Sequence, residues 1–164
     1  MQANDSIVIA SGTTVLALAQ HLRPRESLTV ITSALNVALE LARHKDIEIL
    51  QLGGVVRKSS SSVVGPYSEN IMKDFFCSTF FLGVDGIDLE FGLTTTNSME
   101  AHLNRQMIAV SQKTVILADS TKFGKRGFGK ICGLEEIDQV ITDRGISDHI
   151  ANSLESMGVE VTVV

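Results

Sequence analysis

The chain has 164 residues, 44% of them apolar, enough for one domain with a buried core and too many for a disordered segment. Its 19 acidic residues against 14 Lys and Arg leave a formal charge of −5, which weighs against this chain alone gripping a nucleic-acid backbone. No apolar run reaches membrane-spanning length and no signal peptide precedes the first strand, so the expectation is a cytoplasmic protein.

Ile7-Val8-Ile9-Ala10 reads as a first strand ending in Ser11-Gly12-Thr13-Thr14, and Val15, Leu16, Leu18, Ala19 and Leu22 then repeat at helical spacing. Leu28-Thr29-Val30-Ile31 ends in Thr32-Ser33-Ala34-Leu35-Asn36, with Leu35, Ala38, Leu39 and Ala42 on one helical face. Ile47, Ile49, Leu50 and Leu52 form a third strand, closed by Gly53-Gly54. The polar stretch 57–62 has no periodicity and reads as a loop, and Pro66 suits the start of a helix over 67–75. Phe80-Phe81-Leu82-Gly83-Val84 runs into Asp85-Gly86-Ile87-Asp88. Met99, Leu103, Met107 and Ile108 mark a helix over 97–110, capped by Asn97 or Ser98, with Glu100 near its positive end. A strand at 114–118 leads into Asp119-Ser120-Thr121-Lys122-Phe123-Gly124. A strand at Gln139–Thr142, a helix over 147–157 stopped by Gly158, and a closing strand complete the chain.

This alternation predicts an α/β fold over residues 1–164: a three-layer, Rossmann-like, mostly parallel sheet with helices on both faces. Four strand-end turns of Ser, Thr, Gly and Asp then share one edge, where open α/β sheets bind ligands. The first turn offers hydroxyls, a close backbone approach at Gly12 and the unpaired N–H groups of a helix start, which suit phosphate. It is neither a nucleotide P-loop nor a dinucleotide fingerprint, and an ordinary helix cap is the plain alternative. Thr32, Ser33 and Asn36 are a candidate second wall. Asp85 and Asp88, with Gly86 between them, suit vicinal sugar hydroxyls, or else a solvent-facing turn. Thr94-Thr95-Thr96 offers hydroxyls with free N–H groups. Asp119 and Lys122 end the fourth strand, and Lys122 is placed to balance a phosphate; Lys125, Arg126 and Lys130 read as a solvated face. The loop 57–62 and the basic loop 122–130 are candidates to close over a ligand. Cys77 and Cys132 lie outside any metal spacing and read as buried thiols. The histidines, 21, 44, 102 and 149, are scattered over predicted helices and suggest no catalytic triad. No metal or cofactor is expected.

In order, Ser11-Gly12-Thr13-Thr14, Thr32-Ser33-Ala34-Leu35-Asn36, Gly53-Gly54, Val64-Gly65-Pro66, Leu82-Gly83-Val84-Asp85-Gly86-Ile87, Gly92-Leu93-Thr94-Thr95-Thr96-Asn97 and Leu117-Ala118-Asp119-Ser120-Thr121-Lys122-Phe123-Gly124 resemble the C-terminal effector-sensing domain of DeoR-family bacterial transcriptional repressors. The resemblance covers essentially the whole chain. It implies a fold similar to ribose-5-phosphate isomerase, glucosamine-6-phosphate deaminase and CoA transferases. It further implies regulation of sugar catabolism, a phosphorylated sugar as ligand, a homo-oligomer, and operator DNA bound only through an N-terminal winged helix-turn-helix that this chain lacks.

The likeness to the isomerase also bears on activity. Its lysine and glycine run is replaced by Thr94-Thr95-Thr96, and its catalytic glutamate falls near Asn104 or Gln106, although Glu100 lies one turn away. The favoured expectation is a sensor rather than an enzyme, with ligand contacts at Ser11, Gly12, Thr13, Thr14, Thr32, Ser33, Asn36, Asp85, Gly86, Thr94, Thr95, Glu100, Asp119 and Lys122. A sugar-phosphate isomerase or deaminase, and an assembly module without ligand, are the alternatives.

Overall fold

Apolar strands buried on both faces organise the chain. The computed structural model describes residues 5–24 and 26–164. Among these, β1 (Asp5–Ile9), β2 (Leu28–Thr32), β3 (Ile47–Gln51), β6 (Cys77–Gly83), β9 (Ser111–Leu117), β11 (Gln139–Thr142) and β12 (Glu160–Val163) form a seven-stranded sheet in the order β12-β11-β9-β6-β1-β2-β3. Every pairing in it is parallel.

Successive residues of a strand face opposite sides. Ile7, Ile9, Val30, Val115 and Leu117 pack with Val15 and Ala19 of α1 (Thr13–His21) and Val37 and Leu41 of α2 (Leu35–Leu41). On the other face, Val8, Phe80, Leu82, Ile116 and Val140 share a core with Met72 of α3 (Pro66–Met72), Leu103 and Met107 of α4 (Ser98–Ala109), and Leu154 of α5 (Asp148–Ser156). The expected three-layer α/β architecture is thus the one observed. Asn97 and Ser147 cap α4 and α5, each accepting a backbone N–H three residues on, and Gly158, at φ +86°, ends the last helix turn.

Two smaller sheets depart from the sequence expectation. The stretch read as a loop begins and ends in strand: β4 (Val55–Arg57) and β5 (Ser62–Val64) form an antiparallel hairpin around the turn 58–61. Segments read as turns form a second antiparallel sheet, in which β8 (Gly92–Thr95) lies between β7 (Gly86–Asp88) and β10 (Gly129–Cys132). His44 lies in the turn beyond α2, not on a helix. Both cysteines are buried and free, and burial pushes the Cys132 thiol up to about 12, so it stays protonated and inert. No helix among the described residues is long and apolar enough to cross a membrane.

Candidate functional site

All seven parallel strands end on one edge, and the strand order reverses between β1 and β6. That is where an open α/β sheet leaves a crevice. The four turns converge there on a cleft of about 380 Å³, walled by Ser11 to Thr14 after β1, Asn36 in the first turn of α2, Gly83 to Asp85 after β6, and Lys122 after β9. The cleft thus brings together Ser11, Gly12, Thr13, Thr14, Asn36, Asp85, Thr95, Glu100 and Lys122 of the expected set.

Gly12 is the N-cap of α1, with φ +133° and no side chain to cap the helix. The first N–H groups of α1 therefore have no intrahelical partner, and the dipole there favours an anion. Lys122 closes the 3-10 turn Ser120–Lys122 and supplies a cation to the same cleft. Asp85 is held in place by the Thr95 hydroxyl at 3.0 Å and the Thr96 N–H at 3.1 Å, both donating to its Oδ2.

Glu100 is the most connected group. The Ser11 hydroxyl donates to its Oε1 at 2.9 Å, and the Arg57 guanidinium pairs with its Oε2. Both side chains are largely buried, Arg57 at 20% and Glu100 at 15% exposure. The cap Asn97 fixes the backbone of Glu100, accepting its N–H at 3.0 Å. Asn104 is buried inside α4, and Gln106 lines a separate groove with Pro66 and Tyr67. Glu100 is therefore the carboxylate that α4 brings to the cleft, and it arrives already paired.

Five expected residues stand outside the cleft walls, each with a local reason. Thr32 is fully buried, its hydroxyl donating to Ile9 O at 2.7 Å and accepting Ala34 N–H at 3.0 Å. Ser33 is buried behind it, and its carbonyl accepts Val63 N–H at 2.9 Å. Thr94 is buried and accepts Gly127 N–H at 2.7 Å. Gly86 serves packing, since a Cβ there would lie 2.4 Å from Lys125 O. Asp119 caps the turn that carries Lys122; hydrogen bonds from the Thr121 hydroxyl and N–H hold its carboxyl below the ordinary value.

Asp88 also leaves the site. Arg126 grips it through two nitrogens, at 2.9 and 3.1 Å, so Asp85 and Asp88 do not face one ligand. The same ion pair anchors the basic loop. Besides that ion pair, Gly124 N–H donates to Ile87 O at 2.8 Å, and Gly127 N–H is held by Thr94. The Arg126 bond and the Phe91 and Glu90 N–H groups depress the Asp88 carboxyl from 3.8 to about 2. A depressed carboxylate stabilises the fold above its unfolded pKa and loses that contribution as pH falls through the folded one. Asp88→Asn is accordingly expected to flatten the acid limb of a melting-temperature profile between about pH 4 and 2.

Sequence reasoning named the loop 57–62 only as one that could close over a ligand and Thr96 only within a threonine cluster; the cleft has Arg57, Ser59, Ser60, Ser61 and Thr96 as walls. The hairpin turn that carries three of them is fastened to the start of α2, where Leu35 N–H donates to Ser61 O at 2.8 Å. A lone arginine after Gly53-Gly54, amid serines, was the available signal.

A family model described as "DeoR C terminal sensor domain" matches residues 1–144. The chain belongs to the DeoR family. It is 35% identical over its whole length to 61% of a protein named, provisionally, as the aga operon transcriptional repressor of Escherichia coli O157:H7. It is 34% identical to the HTH-type transcriptional regulator GlpR of Haloferax volcanii, over 92% of this chain and 59% of that one. The chain thus spans about three-fifths of the length of these curated relatives. A ribose 5-phosphate isomerase from Plasmodium falciparum superposes with a TM-score of 0.50 over 78% of this chain and 48% of that one, at 18% identity, a likeness of fold alone. The chain is therefore a sensor domain of the DeoR type, and both relatives are named as transcriptional regulators.

Proposed function

We propose that the cleft binds a phosphorylated sugar or related metabolite, and that occupancy modulates DNA binding by a winged helix-turn-helix elsewhere in the longer protein. The observation that carries the reading is the uncapped start of α1 facing the same cleft as Lys122. Unpaired N–H groups, the hydroxyls of Thr13 and Thr14 and an ammonium are the donors that a phosphate accepts. Asn36, Asp85, Thr95 and the remaining lone pairs of Glu100 then meet sugar hydroxyls. Binding transmits a signal only by favouring one of two conformations. Such a protein works in the cytoplasm, on palindromic operators, as a homo-oligomer.

The test is thermal. A ligand at 100 times its Kd adds about 2.7 kcal/mol of stability, a rise of roughly 5–10 °C in melting temperature for a domain of this size. Some members of a sugar-phosphate panel are expected to give this shift, and the matching free sugars little. Equal shifts from phosphorylated and free sugars contradict the phosphate role of residues 11–14.

A further inference from the structure

Four charged side chains line the cleft: Arg57, Lys122, Asp85 and Glu100. The two cations are not equivalent. Arg57 is committed to Glu100 through an ion pair in which both partners are largely buried, while Lys122 forms no salt bridge among the described residues. Glu100 is itself tied to the end of β1 by Ser11 and to its own helix start by Asn97. Its carboxylate thus holds the Arg57 guanidinium from a fixed position. The cleft therefore offers one cation outside a salt bridge, Lys122, with Asp119 as a charged neighbour, and its remaining charge is the carboxylate of Asp85.

We infer that Glu100 limits the effector to a single anionic group by keeping Arg57 occupied, so that sugar phosphates are admitted while bisphosphates and phosphorylated sugar acids are refused. This rests on the phosphate reading of the cleft and adds the class of molecule that it takes. A second anion has two places to go. Near Asp85 it meets a like charge, and near Arg57 it meets a guanidinium already paired with a carboxylate that the Ser11 hydroxyl also holds. Like charges brought together at a desolvated surface discriminate strongly between partners. Hydroxyls meet neither obstacle, because ionised carboxylates accept hydrogen bonds from them.

Glycerol 3-phosphate and 3-phosphoglycerate form a minimal probe pair, alike in size and differing by one carboxylate. By titration calorimetry the chain is expected to bind the first at least about tenfold more tightly than the second. In Glu100→Gln the guanidinium is released, and this preference is expected to shrink by about tenfold or to invert. Arg57→Gln, which leaves Glu100 unpaired, is expected to widen it, and so tests the same idea should the first variant fold poorly. A preference unchanged in both variants, or a parent chain that prefers 3-phosphoglycerate, overturns the inference and leaves the phosphate reading standing. Failure of both probes to bind the parent and both variants overturns the inference, while the phosphate reading is judged separately by the sugar-phosphate panel.

Discussion

Thr13→Asp is expected to abolish stabilisation by sugar phosphates while leaving the fold intact. Thr13 is the first residue of α1 and is exposed on the cleft. An aspartate there agrees with the helix dipole and so favours α1. The same carboxylate would lie against the phosphate. Two unit charges 4 Å apart interact by about 4 kcal/mol at an effective dielectric near 20. Even after solvent screening the loss is expected to exceed tenfold in affinity, where tenfold is about 1.4 kcal/mol. Melting curves with and without the best ligand of the panel measure both parts. A variant that keeps the full ligand shift would show that the anion sits elsewhere, and one with a lowered baseline would show that the helix start is more constrained than its exposure implies.

Gly92→Ala is expected to give the largest loss of stability, on the order of 3 kcal/mol. Gly92 begins β8 with φ +102°, and a Cβ there would lie 2.2 Å from Cys132 O and 3.0 Å from Gly133 Cα. Conformational strain and collision with neighbouring backbone act together. Gly158→Ala separates them: its φ is +86°, but a Cβ meets nothing within 4 Å, so only the strain remains, about 1 kcal/mol. Urea titrations of the two variants should differ by the cost of the collision. Because β8 ends in Thr94 and Thr95, which hold the basic loop and Asp85, Gly92→Ala is also expected to weaken the ligand response. Equal losses at the two glycines would refute the packing argument.

The parallel strands were legible because a strand buried on both faces reads as a short branched apolar run. Each such run ended in a turn with its own chemistry. Gln139–Thr142 was read to the residue, and the cap of α4 was narrowed to Asn97 or Ser98, whereas Ser147, read as the first residue of the last helix, is its cap. The small sheets were not legible. Their strands are three or four residues long, too short for a period, and β8 is held by β10, more than thirty residues away. The strand-end residues show a subtler limit. A threonine hydroxyl at such a turn can face a ligand or satisfy the backbone, and composition does not distinguish the two. Thr95 donates to Asp85 in the cleft, whereas Thr32 donates to Ile9 O in the core. Arg57 was hidden for a related reason: its partner Glu100 is 43 positions away.

The reversal of strand order between β1 and β6 has a mechanical consequence. One half of the sheet, β1-β2-β3, is built from a contiguous stretch near the amino terminus, and the other half from residues beyond Phe76. A small molecule gripped by the turns after β1, β6 and β9 is a rivet through that seam. Separating the halves would forfeit the grip, so a ligand held there would reinforce the β1–β6 pairing that joins the two chain segments.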